Sequence, residues 1–293
     1  MEKIKVFTAF SGYDSQCMAL ERLKETNPGF EYELVGWSEN YKKAIASHNA
    51  VFPEYASCWY GDITKIDWRK VPDFDLFTYS SPCQSFSISG KREGGEEGSG
   101  TTSSLLWECR RAIETKRPKY CLLENVKSLV DKTMYHTFDD WMMALVNLGY
   151  INDWKVLNAA DYGIPQHRER TIMVSIREDV YEGFSFPESF PLEKMPEDFL
   201  DKDVDRKFYM DEQRKDAFFD LLENATEGYE ICTSFGKNVP PSVEGRCIKQ
   251  FISPACKGGV LPTLMARGAC SVTTMYSVGD HPCPGVIEIR KKN

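Results

Sequence analysis

The feature that most constrains this chain is an alternation of strand-like and helix-like stretches running from residue 4 to about 176. "IKVFTAF", "YELVGWSE", "FDLFTY" and "KYCLLEN" are short, apolar and rich in β-branched and aromatic residues. Between and after them, "DSQCMALERLKE", "NYKKAIASHNAVF", "SLLWECRRAIETKR" and "YHTFDDWMMALVNLG" carry helical periodicity. In the first helix the spacing turns Cys17, Leu20 and Leu23 inwards, and Gly149 stops the last. "YINDWKVLNA" and "RTIMVSIR" close the pattern as a late strand pair. Such alternation predicts an α/β domain, a mostly parallel sheet with helices on both faces.

Two segments break the rhythm. Residues 87–104, "SISGKREGGEEGSGTTSS", have no core-forming pattern inside an otherwise compact domain, which predicts a functional loop. Beyond about residue 182 the alternation is lost, so the expected division is a catalytic domain over 1–182 and a small, irregular, mostly-β region over 183–293.

No apolar run approaches the roughly 18 residues of a membrane span, and no membrane partner is expected. The N-terminus enters a strand at once, the mark of a chain without a signal peptide. None of the ten cysteines forms a C-x-x-C pair. That argues against a zinc site and for reduced thiols in a cytoplasm, with no metal expected. A net charge of −8 is not that of a protein that simply coats nucleic acid.

The chemistry gathers at strand ends, where doubly wound sheets bind ligands. In "FTAFSGYDSQ" the first strand ends at Phe10, and Ser11-Gly12 permits a tight turn into a helix. Glu39 ends the second strand, where a carboxylate can accept ribose hydroxyls, and Asp62 in "YGDIT" could accept from an adenine amine. Singly each acid reads as a cap or a solvated charge; together they suit a nucleoside. Cys83 follows Pro82 and precedes the Gly-rich loop, so it is presented where a core thiol would be enclosed. Glu124 ends the next strand at the same sheet edge, which puts a thiol and a carboxyl group within one pocket. "GIPQHRERTIMV" brings Gln166, Arg168 and Arg170 just ahead of a late strand.

In order and spacing, "AFSGYDS", "PCQSFS", "LLENV" and "ADYGIPQHRER" resemble the motifs of cytosine-5 DNA methyltransferases. The resemblance implies a class I, Rossmann-like methyltransferase fold, S-adenosylmethionine as cofactor with S-adenosylhomocysteine as product, and double-stranded DNA as partner. It implies that Phe10, Ser11, Gly12 and Tyr13 form the first cofactor loop, that Glu39 with Asn40 meets the ribose, that Asp62 and Ile63 meet the adenine, and that Pro82 and Leu105 are further cofactor neighbours. Cys83 would add to C6 of a flipped-out cytosine, with Glu124 at N3 and the exocyclic amine. Arg168 would contact O2, Arg170 and Gln166 would organise the pocket, and the 87–104 loop would close as a lid. Residues 183–293 would be most of a target-recognition domain, with Lys237, Arg246, Lys249, Lys257 and Arg267 as a basic patch against DNA. A cytoplasmic, nucleoid-associated protein of prokaryotic or phage type follows.

Two departures from the family pattern stand out. Thr8, Asp14 and Ser15 replace the usual Asp before the first turn and the Gly-Gly after it. The family's late Pro-Arg-Glu-Cys-type helix and Gly-Asn-Ser segment are not found, which leaves three explanations: a truncated chain, a naturally split enzyme completed by a second polypeptide as partner, or a disabled remnant. The rival readings are a tRNA cytosine-5 methyltransferase, which would carry a Cys-Phe-Thr segment not found in this sequence, and a non-catalytic split subunit.

Overall fold

The computed structural model describes residues 3–82, 102–132 and 134–193, together with Asp198 and Asp205. Cys83, residues 87–101 of the expected lid, nearly all of the expected target-recognition region and its five basic residues therefore lie outside the described residues.

Six strands form one sheet in the order β2-β1-β3-β4-β6-β5. They are β1 (Ile4–Ala9), β2 (Tyr32–Ser38), β3 (Leu76–Tyr79), β4 (Tyr120–Val126), β5 (Tyr150–Asn158) and β6 (Glu169–Arg177). The β1–β2, β1–β3 and β3–β4 pairs are parallel, whereas β6 runs antiparallel to β4, pairing Val126 with Arg170 and Glu124 with Ile172. The chain leaves β1 in one direction, to β2, and leaves β3 in the other, to β4. The carboxyl ends of β1 and β3 thus flank the switch point at which such sheets open a ligand crevice.

Strand alternation splits the core into two layers. On one face Phe7, Ala9, Phe77, Tyr79, Cys121 and Leu123 pack with Cys109, Ala112 and Ile113 of α3 (Glu108–Lys116) and with Phe138, Trp141 and Leu145 of α4 (Tyr135–Asn147). On the other face Val6, Leu34 and Trp37 meet Cys17 of α1 (Ser15–Thr26), Phe52, and Ile45 of α2 (Lys42–Val51). The β1–β2 register shifts between Val6 and Phe7. This brings Gly36 under the rings of Phe7 and Tyr60, where an added Cβ would lie only 2.5 and 2.8 Å from ring carbons.

The helices begin and end close to expectation, with one correction. Cys17 is buried and Leu20 packs on the core, but Leu23 is 41% exposed. At 100° per residue it stands about 120° round the helix from Cys17, off the buried stripe. The start of the expected third helix is a 3₁₀ segment, Thr102–Trp107, and Gly149 ends α4 with φ +74°.

Contacts divide the chain into two compact units. The first, Met1–Leu157 with Glu169–Pro187, holds the sheet; the second is Asn158–Arg168 with Glu188–Asn293. In the described part of the second unit, Asn158 Oδ1 accepts the Ala160 and Arg168 amides, and the Tyr162 and Phe190 rings meet edge to face at 5.9 Å.

Candidate active site

Two groups of residues stand at the carboxyl edge of the sheet. The first is built on the loop after β1, which needs unusual backbone: Phe10 and Asp14 have φ of 54° and 67°, and Gly12 has φ +60°. Glycine takes such angles without Cβ strain. The Ser11 amide donates to the Ser38 carbonyl at 3.1 Å, and the Gly12 amide to Glu39 Oε2 at 3.0 Å, so the β1 and β2 loops are fastened together. Glu39 Oε1 accepts the Asn40 and Tyr41 amides, each at 2.8 Å, and the Trp59 indole donates to the Glu39 carbonyl at 2.9 Å. A carboxylate offers about four lone-pair positions. Three are taken by backbone amides, which leaves capacity on Oε2 for one further donor.

The same loop has room and an unsatisfied group. Ser11 is buried, and its Oγ has no hydrogen-bond partner. Among the described residues, none but its own chain neighbours lies within 4 Å of where a Gly12 Cβ would stand. A buried, unpartnered hydroxyl is uncommon and calls for an explanation; a polar nucleoside ligand such as S-adenosylmethionine held by this loop would supply the partner. Tyr13 is exposed. Asp62 caps a 3₁₀ turn by accepting the amide and hydroxyl of Thr64 at 3.0 and 2.9 Å, while Ile63 is buried in the core. Leu105 is half-buried in Thr102–Trp107, and Pro82 is half-buried at the last described residue before Cys83.

The second group centres on Glu124. Its Oε1 lies 2.9 Å from Arg170 Nε, and its Oε2 accepts the Ser80 hydroxyl. Because β6 is antiparallel to β4, the start of β6 meets the end of β4, and this is what delivers Arg170. Beside it, buried Asn125 donates from Nδ2 to the carbonyl and hydroxyl of Ser81 at 3.2 and 3.3 Å, and its Oδ1 accepts the Val126 amide. Lys127 pairs with Glu169 at 2.9 Å just outside. The ends of β3, β4 and β6 are thereby tied through side chains, two and three residues ahead of Cys83.

The structure thus brings Glu124 and Arg170 together, and fastens Gly12, Glu39 and Asn40 into one loop pair. Gln166 and Arg168 belong to the second unit, where Arg168 is held through its amide by Asn158 and the Gln166 amide donates to the Ile164 carbonyl. Ser80 and Asn125 were missed in the sequence. Their signal was present, in the serines ahead of Pro-Cys and in the Asn after the glutamate, but it becomes legible only once β3 and β4 are known to be neighbours.

A mixed six-stranded sheet of this order, covered by helices, is an S-adenosylmethionine-dependent methyltransferase fold. A solved structure, the methyltransferase EhMeth of Entamoeba histolytica, matches it with a TM-score of 0.60 at 17% identity, over 79% of this chain and 68% of that one. The family model for C-5 cytosine-specific DNA methylase matches residues 4–252, and the chain belongs to that family. Among relatives, the type II methyltransferase M2.ScrFI of Lactococcus lactis subsp. cremoris is 49% identical over 151 residues, covering 52% of this chain and 42% of that protein. The orphan methyltransferase M.Rho11sI of Bacillus phage rho11s is 30% identical over 99% of this chain and 63% of its own length. The chain therefore spans about half the length of these relatives. Among the described residues no helix is long and apolar enough to cross a membrane.

Proposed function

We propose that this chain methylates C5 of cytosine in double-stranded DNA, with Cys83 as nucleophile and Glu124 as the acid that supports its addition. The observation that carries the reading is the placement of Glu124 at the carboxyl edge of the sheet, held by Ser80 three residues before Cys83 and by Arg170. Family membership and the names of the relatives support the substrate class.

Bound S-adenosylmethionine supplies an electrophilic methyl group. Ser11, Gly12 and Glu39 would hold its nucleoside, with Phe10, Tyr13, Asn40, Asp62, Ile63, Pro82 and Leu105 as the neighbours that the motifs imply. C5 of cytosine is a weak nucleophile. Addition of the Cys83 thiolate to C6 turns the ring into an enamine whose C5 takes the methyl group, and loss of the C5 proton with elimination of the Cys83 thiolate restores the ring. A proton or hydrogen bond from Glu124 at N3 neutralises the charge that this addition places on the base. Arg170 fixes the Glu124 carboxyl through Oε1, while Arg168 at O2 and Gln166 keep the roles that their motif implies. The thiol cannot reach C6 within a stacked duplex, so the base is flipped out, at a cost of a few kcal/mol. Residues 183–293 are the proposed target-recognition region, and a second polypeptide is the proposed source of the family segments not found here.

The deciding experiment is methyl transfer from labelled S-adenosylmethionine to mixed-sequence duplex DNA, with tRNA as a parallel substrate and Cys83→Ala as control. Transfer to DNA that vanishes in the control establishes the reading and shows that no further polypeptide is needed. Transfer to tRNA alone overturns the DNA assignment. Binding of S-adenosylhomocysteine without transfer assigns the deficit to the missing partner.

A further inference from the structure

Beneath the cofactor loop lies a buried polar group for which the proposed reaction has no use. Asp14 has no exposed surface. Its Oδ1 accepts the Cys17 amide at 3.1 Å and so caps α1. Its Oδ2 accepts the Thr8 hydroxyl of β1 at 2.7 Å, and Nε2 of His48 on α2 lies 3.4 Å from it, in contact though no hydrogen bond joins the two. His48 is equally buried and stacks on Trp37 of β2, with ring centroids 3.7 Å apart and planes inclined by 13°. One carboxylate therefore touches β1, α1 and α2, and reaches β2 through the imidazole.

The plain alternative is a helix cap beside a core histidine. A cap, however, needs neither burial nor a left-handed residue, and both are costly: a buried carboxylate must be fully partnered, and φ 67° strains a residue with a Cβ. The Asp14 amide donates to the Ser11 carbonyl at 2.7 Å, which closes the Ser11–Asp14 turn, and the Gly12 amide inside that turn donates to Glu39. Thr8 and Asp14 are moreover two of the positions at which the first motif departs from the family pattern, and here they are in contact.

We infer that Asp14, Thr8 and His48 form one positioning unit, which holds the Ser11–Asp14 turn and the Glu39 loop in the arrangement that receives the nucleoside of the cofactor. The link to the cofactor rests on the function proposed above; the link to the loop does not. None of the three residues touches the reacting atoms. They act through the Gly12 amide and the Glu39 carboxylate.

Amide hydrogen exchange of the full chain tests the loop, and calorimetry with S-adenosylhomocysteine tests the ligand. Asp14→Asn and Thr8→Val should speed exchange at Gly12 and Asp14 by about 10- to 100-fold, the range of a lost hydrogen bond to a charged group. Exchange in β4 should stay unchanged. The double variant should be no worse than Asp14→Asn alone, because the two residues share one interaction. Thr8→Ser, which keeps the hydroxyl, should match the parent. Affinity for S-adenosylhomocysteine should fall in step with the loop effect. Unchanged exchange at Gly12 overturns the inference, and so does an equal rise in β4, which would mark Asp14 as a residue of general stability. Additive effects dissolve the unit, and Thr8→Ser behaving as Thr8→Val removes the hydroxyl from it. A loop effect with unaltered affinity severs the link to the ligand. If the parent chain does not bind S-adenosylhomocysteine but the loop effects stand, it is the cofactor reading that fails and the positioning unit that survives.

Discussion

Arg170 Nε and Glu124 Oε1 lie 2.9 Å apart at the carboxyl edge of the sheet, joined by an antiparallel pairing in which the first residues of β6 meet the last of β4. Glu124 is thus gripped from two sides, by a guanidinium on one oxygen and by the Ser80 hydroxyl on the other. Glu124→Gln keeps the shape but removes the acid, and kcat for methyl transfer should fall on the order of 10²- to 10⁴-fold, the usual contribution of a positioned acid. Ser80→Ala leaves the Arg170 pair intact and should lower kcat about tenfold, the effect of one hydrogen bond to a charged group, with thermal stability little changed. Single-turnover kinetics on both variants would check the order; a Ser80→Ala enzyme as slow as Glu124→Gln would contradict it.

Packing at Gly36 gives a prediction that does not depend on function. A Cβ there would stand 2.5 Å from the Phe7 ring and 2.8 Å from Tyr60, both in or against the main core. Gly36→Ala should destabilise the protein by about 1–3 kcal/mol, as overpacking does, seen as a lower denaturation midpoint at unchanged slope.

Asp75 sets a response to acid. Burial raises its pKa, but the hydrogen bond from Lys119, the Lys5 amide and the two lysine charges outweigh this and hold the carboxyl below the usual range. A group depressed in the folded state contributes stability above its unfolded pKa, about 3.9, and loses it as pH falls through the folded value. Stability from this site should therefore be flat from pH 5 to 8 and decline below about pH 4. Urea titrations of Asp75→Asn against the parent should show a difference at pH 7 that narrows under acid.

Thiol chemistry separates three of the four described cysteines from Cys83. Burial pushes the Cys17, Cys109 and Cys121 thiols well above their ordinary value and shields them from reagents. Native protein treated with iodoacetamide near pH 8 should remain unmodified at these three by peptide mass spectrometry, while Cys83, if it is the proposed nucleophile, should react ahead of them.

Much of this was legible in the sequence, for identifiable reasons. Strand and helix periods gave the six strands and four helices, because each element buries one stripe and the apolar residues repeat accordingly. Leu23 escaped because a short helix with few apolar residues leaves its stripe ambiguous by one position. The direction of β6 escaped because alternation reports that a strand exists and is silent on its sense. Glu124 and Arg170 were named singly, but their pairing needed that direction. Asp62 illustrates the reverse: its cap to Thr64 is local and could be read from "GDIT", whereas its proposed part at the adenine depends on a ligand. Thr8 and Asp14 looked like two unrelated irregularities, because a contact across six residues through a tight turn leaves no periodic trace.

The strand order also dictates a sequence of events during synthesis. β5 leaves the ribosome before β6, yet β6 lies between it and β4. Until residue 177 has emerged, β4 is a bare border of a four-stranded nascent sheet, β5 has nothing to dock against, and Glu124 lacks the guanidinium that will grip it. The Glu124–Arg170 pair is thus among the last contacts of the sheet to form, and a chain stalled before that point would display the bare border of β4 as a hydrogen-bonding template.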